Sequence, residues 1–464
     1  MALMFSVSGL RGIAGTDLTQ EIAVSVTRAF AAFMKARTIV LGRDTRPSSS
    51  MFAKAMTEAL NTSGCRVINL DIVPTPTVLF IVRRVKADAG IMITASHNPI
   101  DNNGIKFINS KGEFLDDKAA TDFLAFLRQP VRPASSSVKS PVVMYREAVD
   151  RHISEILDVL EMGIKEEKEK KGKKVKKLKV KKEAGVVNLR VAVDAVNGAG
   201  SHAMPALLER LGCRVFRLNC EFRSAFPRSP EPTPENITEL CGLVRQERCD
   251  LGFAVDPDCD RLSIVDNMGN AIGEENTLVL AVEQVLSAIR RKACVVTNLS
   301  TTSRMERVAR QYKARLLRTR VGEAHVVDAI RKTRAVIGGE GNGGVIYPRI
   351  NATRDALVAA TLVIKLLANR GKKLSELMNQ YPPLYMVKEK IDTTKEKFEA
   401  KQAAIIRAFK GKVNKTDGLR IAKNDSWVHI RASNTEPLVR IIAEARDQKT
   451  AKKIARSVRQ ILKK

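Results

Sequence analysis

Short apolar runs, each alternating with a helix-forming stretch and closing in a polar turn, recur in three successive passes along the chain, and this alternation limits the possible fold more than any other feature. The first pass runs through Thr38-Ile39-Val40-Leu41, a helix from about Ser49 to Asn61, the strand Cys65 to Leu70, a helix after Pro76, and Gly90-Ile91-Met92-Ile93, which enters the turn at Ser96. The second runs from Leu189-Arg190-Val191-Ala192-Val193 through Cys213-Arg214-Val215-Phe216 and a helix from about Pro234 to Leu251-Gly252-Phe253-Ala254-Val255, ending at Asp256. The third begins with a helix after Glu274. It continues through Ala293 to Val296, a helix near Ser303 to Tyr312, Arg315-Leu316-Leu317, a short helix and Ala335-Val336-Ile337, and ends in a glycine-rich turn. Strands and helices alternating at these lengths predict α/β domains with buried, largely parallel strands, whose ligands gather beyond the carboxyl ends of the strands. The last segment differs: Gly418 to Ile421, Trp427 to Arg431 and Leu438 to Ile442 read as an antiparallel sheet followed by a basic helix from Lys449 to Leu462. The predicted fold class is α/β, with three tandem similar domains over 1–155, 156–268 and 269–380 and a C-terminal α+β domain over 381–464.

Composition narrows the function classes. With 464 residues and 44% hydrophobic side chains the chain can build several cores, and no apolar run approaches the roughly 20 residues a bilayer span needs. The opening five residues are too short for a secretory signal, so a cytoplasmic protein is expected and no membrane partner. Seven cysteines without a C-x-x-C pair argue against a disulfide framework or a zinc site. The net charge is +29; the insertion 165–183, with 11 Lys and 4 Glu, supplies +7 of it and leaves +22 spread elsewhere. Such basicity raises a nucleic-acid-binding reading. Aromatics at 5% and the lack of a stacking platform or recognition motif weigh against it, and a solvated insertion is the simpler reading. The distributed charge would also concentrate anionic substrates.

Four polar loops carry the chemistry. Thr94-Ala95-Ser96-His97-Asn98-Pro99 offers one hydroxyl in a turn, with His97, Asn98 and the following Lys106 able to meet phosphate oxygens. It also reads as an ordinary Asn-Pro turn. Asp256-Pro257-Asp258-Cys259-Asp260-Arg261 sets three carboxylates at alternate positions, oxygen ligation suited to Mg²⁺, with Arg261 beside it. A phosphatase with a nucleophilic first aspartate is an alternative there, and Ser96 is the rival nucleophile. Gly338 to Gly344 lets the backbone approach a ligand while Glu340 and Asn342 reach its hydroxyls. Arg431, Ser433, Asn434 and Thr435, with Arg440 beyond, form a phosphate cradle by chemistry.

Taken with Ser8-Gly9-Leu10-Arg11-Gly12 and in this order, the four loops resemble the α-D-phosphohexomutase superfamily over essentially the whole chain apart from the Lys-rich insertion. The resemblance implies four domains around a central cleft, with mixed sheets, and a mutase that interconverts hexose 6-phosphate and hexose 1-phosphate. It implies a phosphoserine at Ser96, Mg²⁺ held by Ser96, Asp256, Asp258 and Asp260, and a sugar bisphosphate as intermediate and activator. Arg11, His97 and Arg261 support transfer, and Lys106 is the candidate for proton exchange. Glu340 and Asn342 meet the sugar, while Arg431, Ser433, Asn434, Thr435 and Arg440 meet its other phosphate. The expected partner is the hexose phosphate, on a monomer or homodimer. Glucosamine phosphate is the first choice of sugar, with a phosphomannomutase/phosphoglucomutase second. One departure is visible: Gly344 stands where many bacterial relatives carry a histidine, and His325 is a candidate to compensate or else simply a residue at a helix start.

Overall fold

The computed structural model describes residues 4–6, 9–129, 140–162, 187–289, 292–432 and 438–463, so the Lys-rich insertion and Ser433, Asn434 and Thr435 lie outside the described residues. The chain divides into two compact units, Met1–Val285 with Asn342–Ser375, and Leu286–Gly341 with Glu376–Lys464.

In the first unit, a seven-stranded sheet has the spatial order Met4–Ser6, Gly9–Ile13, Asn102–Asn109, Ala89–Ile93, Thr38–Arg43, Arg66–Ile72, Val142–Met144. The strands of the first pass pair in parallel, as their apolar runs predict. Asn102–Asn109 and Gly9–Ile13 add on antiparallel, which makes the sheet mixed and sets Lys106 opposite Met92 and Arg11 opposite Gly104. Gly104 is required for that approach, because a Cβ there would lie 2.7 Å from the Leu10 carbonyl oxygen and 2.8 Å from that of Thr94. Phe30, Phe52, Ile91, Phe107 and Phe123 fill the core between sheet and helices, each fully buried side chain of this size contributing roughly 1.5–3 kcal/mol. A second sheet has the order Leu262–Val265, Leu251–Val255, Arg190–Asp194, Arg214–Leu218, with only the Leu262–Val265 edge antiparallel. Helix Ala356–Arg370 also belongs to this unit. It is apolar all round and buried over most of its length, as expected of a core helix, and starts where the Asp355 carboxylate caps the Leu357 and Val358 amides.

In the second unit, Arg315–Thr319, Cys294–Asn298 and Ile337–Glu340 form a parallel trio. The C-terminal sheet is antiparallel throughout, in the order Tyr385–Asp392, Leu438–Ala445, Ser426–Ala432, Leu419–Lys423, Lys412–Asn414. Sequence reading found three of its five strands; Tyr385–Asp392 and Lys412–Asn414 are the additions. Ile405, Val458 and Leu462 from its two long helices close the core over one face. Among the described residues no helix is long and apolar enough to cross a membrane.

A buried histidine joins these two sheets. His429 Nε2 lies 2.7 Å from the Asp417 carbonyl oxygen, which can only accept, so Nε2 carries the proton and Nδ1 accepts from the Ser300 hydroxyl at 2.8 Å. Burial holds the imidazole neutral, lowering its pKa from 6.5 to about 4. The unfolded chain therefore takes up this proton as pH falls through 6.5, and the native protein does not until about 4. Stability is expected to fall across that window by up to about 3 kcal/mol from this residue alone. Denaturant midpoints of wild type and His429→Gln measured from pH 7 to 4 check it: the variant's acid limb should be shallower, and parallel limbs would refute the assignment.

Candidate active site

Ser96 follows strand Ala89–Ile93 at its carboxyl end, with a left-handed φ of 51° that serine adopts at a cost. The surrounding turn is held by residues the sequence reading did not single out. Asp44, fully buried at the end of the neighbouring strand, accepts from Thr94 Oγ1 and Ser49 Oγ, each at 2.7 Å, and pairs with Arg46 Nε at 3.1 Å. The equally buried Arg46 guanidinium donates to the carbonyl oxygens of Ser96 at 2.6 Å, Asn98 at 2.7 Å and Asn102 at 2.9 Å, and also to that of Pro99. One arginine thus satisfies the carbonyls of a tight buried loop, and it does so with a planar five-donor fork that lysine lacks. The available signal was Asp44-Thr45-Arg46 standing just past an apolar strand.

The acidic loop leaves strand Leu251–Val255 and turns back into Leu262–Val265. Asp256 Oδ1 accepts from the amides of Asp260 and Arg261, each at 3.1 Å, and Cys259 adopts φ 56° to close the turn. The three carboxylates converge with ligand oxygens within 4.8 Å of one another, all fully buried. Ser96 Oγ donates to Asp256 Oδ2 at 2.9 Å, so the serine and the acidic loop, predicted separately, meet. Lys106 Nζ lies 2.6 Å from Asp258 Oδ2, which also accepts from Thr75 Oγ1 at 2.6 Å. Arg354 NH2 takes Asp260 Oδ2 at 2.6 Å. Neither Thr75 nor Arg354 was legible as a site residue, because both come from distant segments with no motif of their own.

These contacts test the fit of a divalent cation. On Asp258 and Asp260 the hydrogen-bond donors crowd Oδ2, while both Oδ1 atoms are buried without a hydrogen-bond partner, that of Asp260 with Arg261 Nε no nearer than 3.8 Å. Buried carboxylate oxygens left in this way are costly unless something charged meets them. Burial and the neighbouring carboxylates push Asp256 well above the usual carboxylate range and raise Asp260 as well. Burial would also raise Asp258, but the Lys106 ammonium and the hydrogen bonds from Lys106 and Thr75 outweigh it and hold the group low. A hard cation with oxygen ligands relieves this crowding, so the residues present fit Mg²⁺.

Around the carboxylates stand the cationic groups expected from the sequence. Arg261 pairs with Glu231 at 3.0 Å and approaches Asp260 Oδ1 at 3.8 Å. Burial lowers the Arg11 pKa, and Asp258, Arg261 and Arg354 are among its electrostatic neighbours. His97, with Nδ1 3.4 Å from Ser96 Oγ, is pushed well below its usual pKa by Arg261, by burial, and by Arg11 and Arg354. It is therefore a neutral ring, able to donate one hydrogen bond rather than to add charge.

Asn342 is in the first unit and accepts from the Gly344 amide at 3.2 Å. Glu340 ends a strand of the second unit, where its Oε1 accepts from Asn298 Nδ2 and the Gly322 amide, each at 2.9 Å. Arg431 and Arg440 face each other across the C-terminal sheet, with Arg431 3.9 Å from Asp417 and burial lowering its pKa. His325 is the third residue of helix Glu323–Thr333, consistent with the helix-start reading.

A hydroxyl set on a triple-carboxylate loop and ringed by arginines, on serial α/β domains, defines a phosphotransferase of the α/β class. Comparison with known proteins sharpens this. Domains I, II and III of phosphoglucomutase/phosphomannomutase match residues 2–127, 169–269 and 274–385, and the C-terminal domain matches 387–461. A "Phosphoglucomutase/phosphomannomutase" of Thermococcus kodakarensis is 34% identical over 97% of this chain and 96% of its own. A "Probable phosphoglucosamine mutase" of Methanopyrus kandleri is 32% identical over 98% and 96%. A crystal structure of a phosphoglucomutase/phosphomannomutase family protein from Burkholderia thailandensis superposes with a TM-score of 0.80 at 25% identity, covering 99% of this chain and 98% of that one. The chain belongs to the phosphoglucomutase/phosphomannomutase family, and its fold and its class of activity, intramolecular phosphoryl transfer on hexose phosphates, follow the resemblance read from its loops.

Proposed function

We propose that this phosphohexomutase carries the transferring phosphoryl group on Ser96 and that its preferred reaction converts glucosamine 6-phosphate to glucosamine 1-phosphate. The observation that carries the reading is the 2.9 Å contact between Ser96 Oγ and Asp256 Oδ2 within the buried carboxylate trio. Asp256, Asp258 and Asp260 would hold Mg²⁺ together with an oxygen of the phosphorylated Ser96. Bound there, the cation would neutralise charge on the phosphoryl oxygens. The chain's own residues do the rest. Arg11 and Arg261 are assigned the equatorial oxygens, and neutral His97 donates one hydrogen bond.

In the first half-reaction a sugar hydroxyl attacks phosphorus and the Ser96 Oγ–P bond breaks, its electron pair staying on Oγ. Lys106 takes up the hydroxyl proton and passes one of its own ammonium protons to Oγ, so that it stays charged beside Asp258. The sugar bisphosphate then reorients, and Oγ attacks the second phosphorus. Lys106 takes up the Oγ proton and passes one to the departing sugar oxygen, which leaves the isomeric monophosphate and a rephosphorylated serine. Glu340 and Asn342 are assigned the sugar hydroxyls, and Arg431, Ser433, Asn434, Thr435 and Arg440 the phosphate that is not transferring. We further propose a cytoplasmic enzyme that works as a monomer or homodimer.

A mannose or glucose phosphate preference is the second reading, favoured by the name of the Thermococcus relative. Parallel assays on glucosamine, mannose and glucose phosphates separate the two. The highest kcat/KM is expected with glucosamine phosphate, and a value below the other two overturns the choice of sugar. Release of inorganic phosphate without isomerisation would overturn the mutase itself.

A further inference from the structure

Gly344 opens the strand Gly344–Ile346, and its backbone is not in the left-handed region, so conformation alone does not demand glycine there. Space does. A Cβ on Gly344 would lie 2.2 Å from Cδ and 2.8 Å from Cγ of Arg354. These are mid-stem atoms of the arginine, which cannot swing aside without moving the guanidinium.

The stem is itself held. Arg354 bridges antiparallel to Ile346, the Asp355 amide donates to the Val345 carbonyl at 2.9 Å, and the Asp355 carboxylate caps the helix that follows. The fully buried His152 ring packs beside it, 3.0 Å from the Asp355 carboxylate. The same hairpin grips the acidic loop, with Leu262 N donating to the Gly343 carbonyl at 3.1 Å and Ala356 N to that of Cys259 at 3.4 Å. From this anchored base the guanidinium reaches Asp260 Oδ2 at 2.6 Å, while Oδ1 of the same carboxylate has no hydrogen-bond partner.

We propose that Arg354 is a positioning residue that orients the Asp260 carboxylate so that Oδ1 faces the cation, and that Gly344 lacks a side chain because the arginine's stem runs through the space one would fill. This rests on the reading of the carboxylate trio as a Mg²⁺ site. It accounts for why the loop after Glu340 carries no side chain at 344. That space delivers a guanidinium launched from ten residues downstream.

The test uses the full-length enzyme and Mn²⁺ as a spin-active probe, with affinity read by electron paramagnetic resonance and kcat and KM read separately. Removing a nearby positive charge would, on its own, tighten cation binding. Weaker binding in Arg354→Ala therefore reports lost positioning rather than lost charge. The expected loss is about 10–100-fold in Mn²⁺ affinity, the usual effect of removing a partner that orients a metal ligand, with kcat falling more than KM rises. Gly344→Ala keeps the charge but displaces the stem, and should weaken Mn²⁺ binding in the same direction. In the double variant, where the arginine stem is gone, the alanine at 344 should add no further loss, because the two sites act through one contact. Unchanged or tighter Mn²⁺ binding in Arg354→Ala, or losses that add in the double variant, overturns the proposal. Wild-type isomerisation is measured alongside: if the wild type binds Mn²⁺ but does not isomerise hexose phosphates, the functional reading fails while the Mn²⁺ comparison still decides the role of Arg354.

Discussion

Ser96→Ala is expected to abolish mutase turnover, lowering kcat/KM by about 10⁴–10⁶-fold, the range seen when a nucleophile is removed from an otherwise intact site. The covalent phosphoryl group should vanish from the intact mass at the same time. The variant is a clean one because the hydroxyl does little for the fold. Its contacts are Asp256 Oδ2 at 2.9 Å and the His97 ring at 3.4 Å, whereas the turn is clamped through backbone carbonyls by Arg46. Alanine bears the left-handed φ of 51° about as well as serine does, so no new backbone strain is added. The loss should therefore appear in chemistry with little change in thermal midpoint. A variant that keeps full activity and still carries the phosphoryl group in its intact mass would remove Ser96 from the mechanism, and with it the phosphoserine reading.

What could be read in advance from the chain, and what could not, divides along sequence distance. Ser96 and Asp256 were both legible because each ends an apolar strand in a short polar loop, and parallel α/β units bring such ends together. The strand bearing Lys106 pairs antiparallel with its neighbours, so that residue's arrival at Asp258 depended on a register that periodicity does not specify. Arg46 and Asp44 look like ordinary charges after a strand, and only the completed fold shows them fully buried and spent on the carbonyls of the serine turn. Arg354 is the extreme case. Its partner Asp260 is 94 residues away, and the cue for it is the missing side chain at Gly344, which is readable only when the space is seen to be filled. The two outer strands of the C-terminal sheet were missed because their faces are half exposed, and the alternation that marks a buried strand is faint there.

The two neighbouring aspartates should separate activity from stability. Asp256→Asn and Asp258→Asn are each expected to lower kcat by about 10²–10⁴-fold, since a metal site contributes several kcal/mol to phosphoryl transfer. Their thermal midpoints in EDTA should differ. Asp256 is a carboxylate that burial and its neighbours already disfavour, and an amide oxygen can still accept from the Asp260 and Arg261 amides. Its replacement should leave the metal-free protein as stable as wild type or more so. Asp258 is the partner of the buried Lys106 ammonium at 2.6 Å, and removing its charge leaves the more distant Asp260, at 3.8 Å, as that cation's carboxylate partner among the described residues. Breaking one side of such a pair costs about 3 kcal/mol, so Asp258→Asn should melt well below Asp256→Asn. Both variants bear one carboxylate fewer, so relief of repulsion alone predicts equal midpoints; an equal or reversed order would show that Lys106 does not depend on Asp258 for its charge balance.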